Sequence, residues 1–135
     1  MELRDPIHGT IEVSDAETAL LDSPAYQRLR AIKQLGFAEF SFPGATHNRF
    51  LHSIGVAHLA TQAFDHIFKK WRFSGPEVRE RLKTAMRLAA FLHDIGHGPL
   101  SHTTEEVMPP VADLGISAYP DRGGDRQANH EDYTI

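Results

Sequence analysis

Residues Phe91 to His102 read Phe-Leu-His-Asp-Ile-Gly-His-Gly-Pro-Leu-Ser-His, and this stretch decides how the rest of the chain is interpreted. The pair His93-Asp94 lies inside an otherwise apolar run that is typical of a buried helix. Burying a carboxylate there is costly unless a positive charge compensates it. A bound metal ion is the simplest compensation, and His97 and His102 follow closely enough to face the same site. The stretch therefore indicates an enzyme rather than merely a helical domain.

The composition sets broad limits on the class of protein. With 135 residues, 41% of them apolar and 24% charged, the chain is one globular domain or part of one. It has no apolar run of about 18 residues and no basic-then-apolar leader, so we expect neither a membrane span nor a secretory signal. Cysteine is absent, so a metal must use histidine and carboxylate ligands. Because a chain without cysteine needs no oxidising compartment, we expect a reducing, cytoplasmic location.

Charge is distributed unevenly along the chain. The net charge of −4 argues against a general nucleic-acid binder. Basic residues bunch between Lys69 and Arg87, and the favoured interpretation of that bunch is a solvated helix face. Acidic residues concentrate instead in residues 104–135.

The first half of the chain predicts a short strand and several helices. A turn at Asp5–Gly9 leads into a strand over 10–13, and Ser14 with Glu17 forms a capping box for a helix through Leu21. Ser23-Pro24 begins another helix that runs to about Gln34. Residues 37–44 predict a strand or a loop.

Two long helices are predicted next, over 48–70 and 76–96. The first carries two apolar stripes at helical spacing, which are Phe50, Ile54, Ala57, Thr61, Phe64, Phe68 on one side and Val56, Leu59, Ala63, Ile67 on the other. A helix buried on two sides belongs in the middle of an all-α domain. Ser101 begins a shorter helix, residues 109–128 form a loop that is functional or disordered, and Asn129 caps a last helix. The chain stops one to two turns later, so we expect 1–135 to be the N-terminal part of a larger, truncated fold.

The histidine spacing favours a metal site shared by two helices. His93 and His97 are four residues apart and so lie on one helix face, while Asp94 points about 100° round the helix. His52 belongs to the other long helix, on its apolar stripe. Each histidine alone is more often a structural residue than a ligand, but a His-Asp pair with a histidine at plus four outweighs that alternative.

Several motifs, in order, resemble one family: the HD-domain phosphohydrolases, and within them the deoxynucleoside-triphosphate (dNTP) triphosphohydrolases. The branch includes the animal enzyme that joins a sterile-alpha-motif domain to an HD domain. The motifs are Asp5–Gly9, Tyr26–Arg30, Ile32–Gly36, Phe42–Val56 and His93-Asp94. The resemblance covers most of residues 5–106 and resumes at His130-Glu131. It implies an HD-domain helical fold with a short N-terminal hairpin.

The resemblance also implies the roles of the site residues. The metal ligands are His52, His93 and Asp94, holding a divalent ion such as Fe, Mn, Mg or Zn, with a fourth ligand, an aspartate, expected beyond Ile135. The implied catalytic and substrate-binding residues are His97 and His130 with Glu131 at the phosphates, His102 at the leaving group with Glu105 orienting it, Arg49 on phosphate oxygens, and Gln34 and Leu35 at the sugar. An aspartate usually stands where this chain has Glu105.

The implied reaction is hydrolysis of a dNTP to deoxynucleoside and triphosphate, by attack at the α-phosphorus. Metal, arginine and histidine charges suit this phosphoester chemistry. In regulated members, the positions of Asp22, Gln27 and Arg30 bind a guanine-nucleotide effector at a subunit interface, so a homo-oligomer is expected. Arg4 departs from the polar amide that regulated members often carry.

Two alternatives stay open. One is another HD-type phosphohydrolase that acts on nucleoside monophosphates, alarmones or cyclic dinucleotides, although the Gly-Tyr-Pro signature of the cyclic-dinucleotide enzymes is missing. The other is a non-catalytic nucleotide-binding or assembly module. Identifying the products formed from nucleoside triphosphates distinguishes these two alternatives from a dNTP triphosphohydrolase.

Overall fold

The chain folds into α-helices and one short hairpin, over residues 1–118 and 126–135, which the computed structural model describes. The α-helices are α1 Asp15–Leu21, α2 Pro24–Gln27, α3 Arg49–Ile67, α4 Pro76–Leu92 and α5 His130–Thr134. Short 3₁₀ helices cover Arg28–Ala31, Gly36–Phe40, Ser101–Val107 and Val111–Leu114. Strands β1 Glu2–Asp5 and β2 Gly9–Glu12 pair antiparallel. The predicted helical architecture with an N-terminal hairpin is confirmed.

The hairpin turn is fixed by one carboxylate. The Asp5 Oδ1 accepts the backbone N–H groups of Ile7 and His8 at 2.9 and 2.8 Å, as aspartate commonly does in turns. Gly9 follows with φ of +75°, which a side chain would strain. This register places Ile11 opposite Leu3 and buries Ile11 in the core.

The second helix is shorter than the sequence predicted. The α2 helix ends at Gln27 and tightens into the 3₁₀ turn Arg28–Ala31, after which Ile32 is extended. The Ile32 carbonyl accepts the N–H of Arg49 at 2.9 Å, and the Gln34 N–H donates to the carbonyl of His47 at 3.2 Å. Residues 32–34 therefore pair with 47–49 instead of continuing the helix.

Helices α3 and α4 pack together and contribute Phe50, Ile54, Ala57 and Phe91 to the core. Of the two stripes predicted on α3, the first is buried through Phe50, Ile54, Ala57 and Phe64. The second stripe is not, because Leu59 and Ile67 remain 49% and 69% exposed. The prediction that α3 is buried on two sides is therefore wrong for this structure. The core cluster is Ile11, Val13, Leu21, Tyr26, Leu29, Ile32, Phe50, Ile54, Ala57 and Phe91.

Helix α4 begins at Pro76 as predicted but ends at Leu92, and residues 93–96 form turns. The helix predicted from Ser101 is present as a 3₁₀ helix. Within the predicted 109–128 loop, Pro110 bridges to Gln127, while 119–125 lie outside the described residues. Asn129 caps α5 with a capping box to Asp132. None of the helices described here has the length and apolar character needed to cross a bilayer.

A buried ion pair ties the hairpin to three helices. The Arg87 Nε of α4 donates to the Glu17 Oε1 of α1 at 2.5 Å, and its Nη1 and Nη2 donate to the Thr61 hydroxyl and to the carbonyl of Glu12. Burial alone would raise the pKa of Glu17, but the N–H of Ser14 and the guanidinium of Arg87 outweigh it and lower that pKa. The ionised carboxylate therefore stabilises the fold.

We predict that Glu17→Gln lowers the free energy of unfolding by about 2 kcal/mol near neutral pH, since it removes a charged hydrogen bond. Because the folded pKa is lowered, this stabilisation is present above the ordinary carboxyl pKa and disappears as pH falls below it. Urea unfolding of both proteins at about pH 7 and about pH 3.5 should show the difference shrinking. A difference that stays constant with pH would contradict the assignment.

Candidate metal centre

His52, His93 and Asp94 come together where α3 meets the end of α4. The His52 Nε2 lies 3.6 Å from Asp94 Oδ2, and the His93 Nε2 lies 3.4 Å from Asp94 Oδ1. One ligand atom from each residue lies within 4.8 Å of the other two. A single cation at about 2.0–2.2 Å from nitrogen and oxygen ligands fits that spacing. These residues are able to hold a metal ion.

The protonation of the triplet suits a cation. The His93 Nδ1 donates to the carbonyl of Ala90 at 2.7 Å, which orients the ring with Nε2 on the side of Asp94. Burial lowers the pKa of His52, so its imidazole is neutral and can act as a ligand. Two imidazoles and one carboxylate form a donor set that suits divalent transition metals.

Asp94 is also held by a buried arginine. The Arg49 Nη1 donates to Asp94 Oδ2 at 2.6 Å, and both side chains are almost fully buried. The same guanidinium donates through Nε to the Ser101 hydroxyl at 2.9 Å. Burial alone would raise the pKa of Asp94, but the charges of His93 and Arg49 outweigh it and lower that pKa. The carboxylate is therefore ionised.

A second cluster of four side chains adjoins the triplet: His97, His102, Glu105 and His130. The His97 ring stacks on His130 with 3.7 Å between centroids, and His102 meets His97 edge-on at 4.7 Å. The Glu105 Oε1 accepts from the Nδ1 of His102 at 3.2 Å and from the Nδ1 of His130 at 2.5 Å. One carboxylate thus orients two imidazoles, including the His102 orientation that the resemblance implied.

His97 stands out within this cluster. It is fully buried, and among the described residues neither ring nitrogen has a hydrogen-bond partner. Burial, followed by the charge of Arg49, lowers the pKa of His97 to about 3, so its ring is neutral. Its Nε2 lies 3.5 Å from Asp94 Oδ1, and the Nε2 of His130 lies 3.9 Å from the same oxygen. Asp94 therefore joins the triplet to the histidine cluster.

The predicted substrate-binding residues occupy different surroundings. The Gln34 carbonyl accepts from the Ser101 hydroxyl at 3.1 Å, while its side-chain Oε1 is buried without a described partner. Leu35 follows it and is partly buried. Arg49 is committed to Asp94 and Ser101. Glu131 is exposed, and its carboxylate contacts no described residue through a hydrogen bond or ion pair.

The predicted effector residues lie on consecutive turns. The Gln27 side-chain oxygen accepts from the Nε of Arg30 at 2.7 Å, and its Nε2 donates to the carbonyl of Leu21 at 2.8 Å. The Arg30 guanidinium stacks over the Phe50 ring at 3.5 Å. Asp22 is exposed at the end of α1. The effector role itself stays a prediction.

Four positions that shape the site were missed from the sequence. Arg28 donates to the carbonyl of His97 at 2.5 Å and to that of Ile95. The Thr134 hydroxyl accepts the N–H of Gly96 at 3.1 Å, and a Cβ at Gly96 would lie 2.1 Å from the carbonyl of His130. Ser101, at φ of +59°, links Arg49 to Gln34. The glycine after His93-Asp94 was a signal for a close approach, whereas Arg28 gave none.

A family model described as the HD domain matches residues 49–132. The chain therefore belongs to the HD domain family, and the predicted HD-domain helical fold is confirmed.

The curated relatives include dNTP triphosphohydrolases. The chain is 39% identical over 135 residues to the deoxynucleoside triphosphate triphosphohydrolase SAMHD1 homolog of Dictyostelium discoideum, covering 98% of this chain and 23% of that protein. It is 43% identical over 112 residues to human SAMHD1, which covers 82% of this chain and 17% of that protein. It is 41% identical over 106 residues to the uncharacterized protein YwfO of Bacillus subtilis (strain 168), which covers 78% of this chain and 24% of that protein. The chain thus spans about a fifth of these relatives.

Arg28 supplies a test of how the turn after Asp94 is held. Arg28→Lys keeps the charge but cannot bridge two carbonyls, so we predict that it destabilises the protein nearly as much as Arg28→Ala, by about 1–2 kcal/mol. Hydrogen exchange measured by mass spectrometry should show faster exchange at residues 95–98 in both variants. If Arg28→Lys kept full protection from hydrogen exchange, the positive charge alone would be enough to hold the turn at residues 95–98.

Proposed function

We propose that this chain carries the metal-binding and phosphate-binding part of a phosphohydrolase that converts dNTPs to deoxynucleosides and triphosphate. The observation that carries the proposal is the position of Asp94, which faces two candidate ligands and two further histidines at once. The names of the Dictyostelium and human relatives, both dNTP triphosphohydrolases, support the substrate and the bond.

Under this proposal, His52, His93 and Asp94 hold a divalent ion, and the fourth ligand that the family supplies is a further aspartate. When bound, such an ion lowers the pKa of a water molecule and polarises a phosphoryl oxygen. We assign the buried guanidinium of Arg49, which pairs with Asp94, to stabilising the negative charge that develops on phosphate oxygens. We assign His97, whose buried ring nitrogens have no described hydrogen-bond partner, to the phosphate site together with His130 stacked beside it.

We assign His102 to protonation of the leaving group. Glu105 accepts the Nδ1–H of this exposed ring, so that Nε2 remains for the 5′-oxygen of the departing deoxynucleoside. The buried Oε1 of Gln34 and the side chain of Leu35 lie on the segment that Ser101 joins to Arg49. We assign them to the sugar. Glu131, exposed beside His130, is assigned to the edge of the phosphate site.

A cavity beside His52 provides room for a small molecule. Its volume is about 480 Å³, and the Asp5–His8 turn, residues 44–47 and one face of α3 line it. Volumes of roughly 300–1,000 Å³ are typical of small-molecule sites. Neither Gln34 nor Leu35 lines this cavity, so it supports a bound nucleotide without fixing the position of its sugar.

Product analysis tests the reaction. Incubating the full-length protein with a dNTP and Mn²⁺ should give deoxynucleoside and triphosphate in equal amounts, measured by chromatography and ³¹P NMR. Pyrophosphate or orthophosphate as the first product would favour another HD-type phosphohydrolase. Nucleotide binding without turnover would favour the non-catalytic module.

Metal retention tests the ligands independently of turnover. We predict that His93→Ala and Asp94→Asn each weaken Mn²⁺ or Zn²⁺ binding at least about tenfold in calorimetry, because each removes a ligand. His66→Ala is the matched control, since His66 is exposed on the same helix as His52. Equal metal affinity in all the proteins would refute the assignment of His93 and Asp94 as metal ligands.

We further propose a guanine-nucleotide effector at Asp22, Gln27 and Arg30, a homo-oligomeric state and a cytoplasmic location. The stacking of Arg30 on Phe50 and its bond to Gln27 present two of these side chains as a unit. Light scattering and the product assay, each with and without GTP, test the effector and the assembly. An Arg30→Ala protein with an unchanged GTP response would contradict this assignment.

A further inference from the structure

Ser101 has a backbone conformation that serine rarely adopts. Its φ of +59° lies in the left-handed region, and among the described residues it is the one residue other than glycine with a positive φ. The residue is also only 3% exposed. A side chain strains this conformation, and such strain persists only where the surrounding contacts determine the backbone, most often at functional sites. The contacts of Ser101 therefore indicate what the strained turn does.

The backbone of Ser101 is fixed on both sides by its own turn. Its N–H donates to the carbonyl of Gly98 at 3.1 Å, and its carbonyl accepts the hydroxyl of Thr104 at 2.7 Å. A Cβ at Gly98 would lie 2.3 Å from the hydroxyl oxygen of Thr104, so the turn closes tightly. These contacts hold the Ser101 hydroxyl in one position.

The Ser101 hydroxyl uses its full hydrogen-bonding capacity, which is one donor and two acceptor positions. It donates to the carbonyl of Gln34 at 3.1 Å, and it accepts the Nε of Arg49 at 2.9 Å and also its Nη2. The Nη1 of the same guanidinium donates to Asp94. One buried hydroxyl thus joins the segment that carries Gln34 to the arginine that pairs with the candidate ligand Asp94.

The segment over residues 33–36 is clamped between two parts of the chain. On one side, the N–H of Gln34 donates to the carbonyl of His47 at 3.2 Å. On the other side, Gly36 has a φ of +52°, and a Cβ there would lie 2.6 Å from the carbonyl oxygen of Leu100. Because this carbonyl directly precedes the strained serine, the glycine and the serine hydroxyl hold the 33–36 segment at the same place.

We propose that Ser101 is a positioning residue that sets the preference of the site for deoxyribonucleotides over ribonucleotides. This role rests on the proposed function, which assigns Gln34 and Leu35 to the sugar. An apolar pocket by itself rejects an added hydroxyl group only weakly, and a wall that can move away rejects it less. The Ser101 hydroxyl prevents that movement, because it anchors the carbonyl of Gln34 to a buried ion pair.

The same anchor connects sugar binding to the phosphate chemistry. A sugar that pushes the 33–36 segment outward pulls on Ser101, which accepts both the Nε and the Nη2 of Arg49. Misplacement of a catalytic group by about 1 Å can cost about 100-fold in rate. We therefore expect the discrimination against a ribonucleotide to fall on kcat as well as on KM.

Removing the hydroxyl in the full-length protein tests this role. The kcat/KM values for dATP and ATP are measured with Mn²⁺ through the release of triphosphate. We expect Ser101→Ala and Ser101→Gly each to lower the ratio of these values about tenfold, mainly through a lower kcat for dATP, since ATP already displaces the segment. Ser101→Gly should unfold at a higher temperature than Ser101→Ala, because glycine relieves the positive φ. Equal loss of selectivity in two variants of different stability separates positioning from a purely structural role.

Two further variants approach the same contact from other sides. Gly36→Ala forces the 33–36 segment away from Leu100 without touching the hydroxyl, so it should lower the same ratio about fivefold or more. Thr103→Ala is the matched control, because Thr103 is exposed and lies two residues from Ser101, and it should change the ratio less than about twofold. Should Ser101→Ala fail to fold, Ser101→Gly and Gly36→Ala carry the same test.

Nucleotide binding distinguishes failure of this role from failure of the proposed function. If the wild-type protein releases no triphosphate, the proposed function is wrong, and calorimetry with α,β-imido analogues of dATP and ATP still measures the preference for the sugar. An unchanged dATP-to-ATP ratio in both Ser101 variants, in turnover where it occurs and otherwise in binding, would overturn the role of Ser101. Equal use of the two nucleotides by the wild-type protein would overturn it as well. So would a Ser101→Gly protein that regains the selectivity lost in Ser101→Ala, because the backbone and not the hydroxyl would then be responsible.

Discussion

The pairing of Arg49 with Asp94 is the constraint on which the site depends. Both groups are almost completely removed from water, and an unpaired charge at either position would be strongly destabilising. The pair fixes the start of α3 against the end of α4 and gives each carboxylate oxygen its own direction. One oxygen faces Arg49 and His52, and the other faces His93, His97 and His130. The same ion pair therefore neutralises the two buried charges and sets the geometry of the site.

Around this pair, backbone contacts set the positions of the histidines. The turn carrying His97 is held on one side by Arg28 and on the other by Thr134, and Gly96 allows α5 to approach without a side chain between them. Glu105 then orients the rings of His102 and His130 together.

Local signals in the sequence predicted much of the fold and part of the site. The caps at Ser14, Ser23 and Asn129 were identified correctly because a cap is decided by neighbouring residues. The spacing around His93 predicted that His93 and His97 share one face of a helix, which is wrong because α4 ends at Leu92 and residues 93–96 form turns. The change from α2 to a 3₁₀ turn was not predictable, since it depends on pairing with residues 47–49. The exposure of Leu59 was missed for a related reason: apolar periodicity does not reveal which stripe finds a partner. The individual roles at the site came from family resemblance.

The site draws on chain segments that lie far apart in sequence. Contacts between Arg28 and His97, Arg49 and Asp94, and Glu105 and His130 span 69, 45 and 25 positions. Contacts of large sequence separation form slowly because loop closure must precede them. The α1 capping box and the hairpin turn are local and can form early, whereas the histidine cluster is complete only after α5 docks. Ordering of the cluster is therefore among the last events of folding, and during synthesis it must wait until residue 134 has left the ribosome.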